Sequence, residues 1–119
     1  MASLGDLERE ALERIWDAGR PVTAGDVREA LNAAAPERAL ALTTVLTVLK
    51  RLERKHFVRR DRASRPHVFE AVRGRDEHVA DLMHEALGTA PDRQAALARF
   101  VGSAGPDETA ELKRLLGLD

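Results

Sequence analysis

Between residues 43 and 70 the chain carries eight basic side chains against three acidic ones. The basic ones are Lys50, Arg51, Arg54, Lys55, Arg59, Arg60, Arg62 and Arg65; the acidic ones are Glu53, Asp61 and Glu70. Thr43, Thr44, Leu46 and Thr47 stand just ahead of the basic run. Cations at this density neutralise phosphates and release counterions from a polyanion. Threonine hydroxyls bond phosphates or base edges, and threonine methyls and Leu46 suit the methyl group of thymine. The competing reading is a solvated charged face, with Thr43 as a plain helix cap and Thr47 as a plain surface residue. The net charge of −1 over the whole chain hides this patch, because residues 1–72 sum to +2 and residues 73–119 to −3.

Other chemistry finds less to work with. Without cysteine there is no disulfide framework and no thiolate metal site. Asp81 and His84 share a helical edge near Glu77, His78 and Glu85, but a solvated helix face explains them better than a metal site. His56 and His67 have no partner pattern. Ser3, Ser64 and Ser103 all fall in segments read as termini or loops, and neither a Gly-rich phosphate loop nor a nucleophile motif occurs. The sequence therefore points to a non-enzyme that needs no cofactor and no metal.

The elements that would position the basic patch follow from apolar spacing. Asp6 is placed to cap a first helix whose stripe is Leu7, Ala11, Leu12, Ile15 and Trp16, ending at Gly19. Thr23 three residues before Asp26 resembles a capping box, opening a short second helix with Val27, Ala30 and Leu31. A connection from Asn32 to Leu42 holds Pro36. A third helix from about Thr43 to Lys55 buries Val45, Val48, Leu49 and Leu52 on one face. At about 100° per residue, Thr43, Leu46, Thr47, Lys50, Arg51 and Arg54 gather on the other. That arrangement is a helix-turn-helix with its third helix suited to the major groove. Phe57–Arg60 and His67–Glu70 read as two strands joined by the arginine-rich tip Asp61–Pro66, a wing able to lay Arg62 and Arg65 along a backbone or minor groove.

Beyond Gly74 only helices are expected. Val79, Leu82, Met83, Ala86 and Leu87 make one apolar stripe, and Leu97, Phe100, Val101 and Ala104 a second. Pro106 opens a last helix with Leu112, Leu115 and Leu116. Three such short helices bury too little alone, so packing against a second copy is the expected solution, and a dimer suits an operator with two half-sites. The expected architecture is mainly α with a small β-hairpin wing: a winged helix-turn-helix over 1–73 and a helical dimerisation region over 74–119. The start of the chain lacks a basic segment followed by an apolar run, and Ala39–Leu49 is too short to span a bilayer, so a cytoplasmic protein without membrane insertion is expected.

Several of these residues also resemble a known family. Leu4-Gly5-x-Leu7-Glu8 with Ile15-Trp16, Pro21-Val22-Thr23 with Val27 and Leu31-Asn32, and above all Thr43-Thr44-Val45-Leu46-Thr47-Val48-Leu49-x-Arg51-Leu52-x-x-Lys55 look like the penicillinase and methicillin-resistance repressors (BlaI/MecI type). Val58-Arg59-Arg60 follows in place, and Asp92-Arg93-x-Ala95-Ala96-Leu97-x-x-Phe100 resembles an actinobacterial-looking branch. The resemblance implies a homodimeric repressor of transcription that binds a palindromic operator in duplex DNA, in a β-lactam or cell-envelope stress response linked to antibiotic resistance. It further implies a membrane sensor-protease as partner, cutting just before a phenylalanine that Phe100 matches. Three residues depart from the pattern. Arg99 replaces the asparagine before the cut, His56 the glycine after the third helix, and the tip Arg62-Ala63-Ser64-Arg65 lacks a glycine turn. The rival reading is a winged helix used as a protein-interaction module, which should show larger apolar anchors than Leu46 alone.

Overall fold

The computed structural model describes residues 4–118; Ser3, read above as part of a terminus, lies outside them. The chain divides into two compact units, one ending at His78 and the other starting at Val79.

In the first unit, α1 (Asp6–Ala18), α2 (Ala24–Ala34) and α3 (Leu42–Arg54) enclose one core. The expected stripes supply it: Ala11, Leu12 and Ile15 from α1, Val27 and Leu31 from α2, and Val45, Val48, Leu49 and Leu52 from α3 are all buried. Gly19 ends α1 in the left-handed conformation at φ 64°, and its N–H bonds the Trp16 carbonyl. Asp6 is not the cap expected of it: the N-cap is Gly5, and Asp6 is the first helical residue, where its charge favours the positive end of the helix. The Thr23–Asp26 capping box is present in both directions, with Asp26 N–H to Thr23 Oγ1 at 3.1 Å and Thr23 N–H to Asp26 Oδ2 at 3.0 Å.

The stretch between α2 and α3 contains a single 3-10 turn, Pro36–Arg38. Arg38 pins it from inside, donating to Glu10 Oε2 at 2.8 Å and to the Leu31 carbonyl at 3.0 Å. Asn32 exchanges two hydrogen bonds with the Leu40 backbone, which fixes where α3 begins.

The sheet has one strand more than expected. Val22–Thr23 (β1), Val58–Asp61 (β2) and Val68–Ala71 (β3) form an antiparallel sheet in the order β1-β3-β2, with Val22 opposite Phe69 and Arg60 opposite Phe69 from the other side. The hairpin is thus stitched to the segment just before α2 and is not a free arm. Phe69, 1% exposed, inserts from the sheet into the helical core.

The first turn of α4 (Arg75–Gly88) belongs with this unit. Arg75 bonds Glu13 and Asp17 of α1, each at 2.8 Å, and its guanidinium lies 5.3 Å from the Trp16 ring centroid. These two carboxylates raise the Arg75 pKa further above its usual value. The His78 ring packs against Trp16 and Phe57, and Trp16 Nε1 donates to the Arg73 carbonyl at 2.9 Å.

In the second unit, α4 continues to Gly88, followed by α5 (Arg93–Ser103) and α6 (Pro106–Leu115). Asp92 caps α5 by accepting from the Ala95 N–H, and Pro106 occupies the first position of α6 after Gly105. No described side chain from 79 to 118 is buried. The structure is mainly α with a small antiparallel sheet, and the first unit is a winged helix.

Candidate nucleic-acid interface

α3 begins at Leu42, one residue earlier than its spacing suggested, with Ala41 as N-cap. Thr43 therefore does not cap the helix, and its side chain stands on the exposed face. Thr43, Thr44, Leu46, Thr47, Lys50, Arg51 and Arg54 are all exposed, while the opposite face is fully committed to the core. Thirteen residues at 1.5 Å each make a rod of roughly 20 Å, narrow enough for a major groove. Thr47 Oγ1 donates to the Thr43 carbonyl at 3.0 Å, so its hydroxyl presents lone pairs outward in this rotamer.

The eight basic residues separate into two groups that a charge count cannot distinguish. Lys55 Nζ lies 2.7 Å from Glu8, a carboxylate only 7% exposed, and so ties the end of α3 to the start of α1. Arg59 pairs across the hairpin with Glu70 at 2.7 Å. Arg60 and Arg62 share the two oxygens of Glu53, at 3.1 and 3.3 Å. Lys50, Arg51, Arg54 and Arg65 make no ion pair with a carboxylate among the described residues. Arg65 instead donates to the backbone carbonyls of Arg62 and Ser64 at the wing tip. Arg60 points inward, its side chain 13% exposed and its guanidinium 4.9 Å from the Phe69 ring centroid, whereas the Arg62 side chain is 65% exposed.

Between α3 and the wing runs an open groove of about 630 Å³, floored by Leu42, Leu46 and Phe69 and edged by Arg65 and His67. Burial first, then the charges of Arg65, Arg60 and Arg62, lowers the His67 pKa below its ordinary value. Ala24 and Gly25, at the start of α2, close its far side. Leu42, Ala24 and Gly25 were not singled out from the sequence, and His67 was weighed there only as a metal ligand. The one-residue shift in the start of α3 is the signal that would have found Leu42, and the pairing of β1 with β3 explains how α2 reaches this groove.

Residues 4–117 match the family model described as penicillinase repressor. The chain belongs to the penicillinase repressor family. Its curated relatives include the transcriptional regulator BlaI in two strains of Mycobacterium tuberculosis, 47% identical over 98% of this chain and 84% of theirs. A solved MarR family protein from Bacillus stearothermophilus shares the fold, with a TM-score of 0.53 and 19% identity over 97% of this chain and 71% of that one. As a penicillinase repressor the chain is a DNA-binding regulator of transcription and not an enzyme. Among the described residues no helix is long and apolar enough to cross a membrane.

Proposed function

We propose that this repressor acts as a cytoplasmic homodimer on a near-palindromic operator, through a DNA-binding part over 1–73 and a dimerisation region over 74–119. The observation that carries the DNA half is the division of α3: four apolar side chains buried on one face, and on the other threonines with Lys50, Arg51 and Arg54, which have no carboxylate partner among the described residues. In this reading Thr43, Thr44, Leu46 and Thr47 meet base edges and nearby phosphates. Lys50, Arg51 and Arg54 neutralise the backbone, and Arg65 leads the wing's contribution, while Arg62 and the inward-pointing Arg60 are held by Glu53.

The dimer half is supported by the apolar side chains that the second unit leaves uncovered. Val79, Leu82, Met83, Leu97, Phe100, Val101, Leu115 and Leu116 are exposed, Phe100 at 47%, and Leu87 and Leu112 are only partly covered. A second copy of the same helices is the economical cover for such stripes. Sedimentation at micromolar concentration, with and without duplex DNA, tests this. A dimer that binds one two-half-site duplex is expected; a strict monomer on a single half-site would contradict it.

The signal released through this repressor is in this proposal a β-lactam or another cell-envelope stress, consistent with the name of its family. A membrane sensor-protease cutting between Arg99 and Phe100 would have to open α5, which runs unbroken through that bond. It would also have to accept the Arg99 cation in a pocket built for a neutral amide, so a protease of that specificity is expected to leave this chain intact.

A further inference from the structure

Glu53 sits in the last turn of α3, on the side that faces the wing, and is the only acidic residue of that helix. Its Oε1 accepts from Arg60 and its Oε2 from Arg62. The two arginines are held very differently. Arg60 is nearly buried over the Phe69 ring, so it fixes the carboxylate in place. Arg62 is exposed on the wing, so it meets an acceptor that needs no further ordering. The three side chains together carry one positive charge; without the carboxylate they would carry two.

Taking α3 and the wing as the DNA-facing surface, which rests on the function proposed above, we propose that Glu53 is a specificity-determining residue: it restrains sequence-independent binding by holding the wing guanidiniums Arg60 and Arg62. Phosphate contacts position a protein on DNA but carry no sequence information, so every free guanidinium on the wing raises affinity for all duplexes alike. Discrimination is a difference of affinities, and lowering the common part leaves base-edge contacts along α3 to decide where the repressor stays. The carboxylate does this without removing the arginines, one of which the fold needs against Phe69. Arg65, whose guanidinium donates to backbone carbonyls and meets no carboxylate among the described residues, is the part of the wing whose charge is left uncompensated.

The test is Glu53→Gln in the full chain, which keeps an oxygen for Arg60 while removing the charge. Binding is measured over a range of salt on two fluorescent duplexes of equal length, one from the protein's own upstream region and one of random sequence. Affinity for the random duplex should rise about 3–10-fold and its salt slope steepen by about one. Affinity for the upstream duplex should rise less, so that the ratio between them falls. Unchanged or weaker binding of the random duplex by a folded Glu53→Gln variant overturns the role of Glu53. Wild-type protein that binds neither duplex overturns the interface itself. Should the variant not fold, Arg62→Gln and Arg65→Gln decide: Arg65→Gln should cost several-fold on the random duplex and Arg62→Gln less than about twofold. Equal losses would contradict the restraint.

Discussion

His56 follows α3 with φ at 67°, a left-handed conformation that costs a residue with a Cβ about 1–2 kcal/mol. Its N–H bonds the Glu53 carbonyl and Phe57 turns back to the Leu52 carbonyl, so the chain leaves the helix toward β2 only through this conformation. His56→Gly should therefore stabilise the protein by about 0.5–1 kcal/mol, the relieved strain less the extra entropy of glycine in the unfolded chain. A thermal melt would read this as a rise of a few degrees, and a lower midpoint would show that the imidazole contributes more than its backbone costs. The departure from the family pattern at position 56 is visible in the sequence; that the backbone still adopts the glycine conformation is visible only in the fold. Thr47 raises the opposite question, of function over stability. It is exposed with its proton donated within the helix, so Thr47→Ala should leave the melt unchanged. It should relax preference at particular base pairs by about 1–3 kcal/mol, with the salt slope unaltered. Quantitative binding to operator variants distinguishes this from a phosphate contact, for which the slope alone would move.

α2 is the element on which the groove depends, because its first turn closes one side and its cap is the capping box of Thr23 and Asp26. The Thr23 backbone N–H, above all, holds the Asp26 carboxyl below its ordinary value of 3.8, with smaller help from the Thr23 hydroxyl and Arg20. A folded pKa below the unfolded one means that this stabilisation is fully present above pH 3.8 and is lost as pH falls through the lower folded value. Acid unfolding followed by circular dichroism should show it, and Asp26→Asn should flatten that part of the profile; an unchanged profile would mean the cap contributes nothing. This box was legible as Thr-x-x-Asp before an apolar run, as were all three helices of the core, because each meets the others along a stripe of regular period. β1 was not legible. Two residues are too few to alternate, and Pro21-Val22-Thr23 reads first as a helix entry; only β3, far along the chain, makes Val22 and Thr23 a strand. Nor could the pairing of Glu8 with Lys55, or of Glu53 with Arg60 and Arg62, be read from a charge count, since it depends on which elements the fold brings together.

At the scale of the whole molecule the two units differ in what they bury. The first has a closed core from three helices and a sheet, and the second has amphipathic helices with no buried side chain among those described. Ending the chain after Arg99 removes the last turn of α5 and all of α6, with Phe100, Val101, Leu112, Leu115 and Leu116. Each such side chain contributes about 1.5–3 kcal/mol when covered, so their loss should dissociate a marginal dimer and abolish tight operator binding, while the first unit keeps its fold. Undiminished affinity of the 1–99 fragment would place the interface elsewhere. The apolar stripes of this region were plain in the sequence; what covers them was not, since a stripe specifies an apolar partner and not its identity. The central claim is that α3 of two copies reads two half-sites of duplex DNA, and a footprint on the protein's own upstream region tests it most directly. Two protected half-sites of related, inverted sequence should appear, about one helical turn apart or a simple multiple of it, and vanish together when Lys50, Arg51 and Arg54 are replaced by alanine. Folded wild-type protein that protects no segment at physiological salt, or a single isolated half-site, would contradict it.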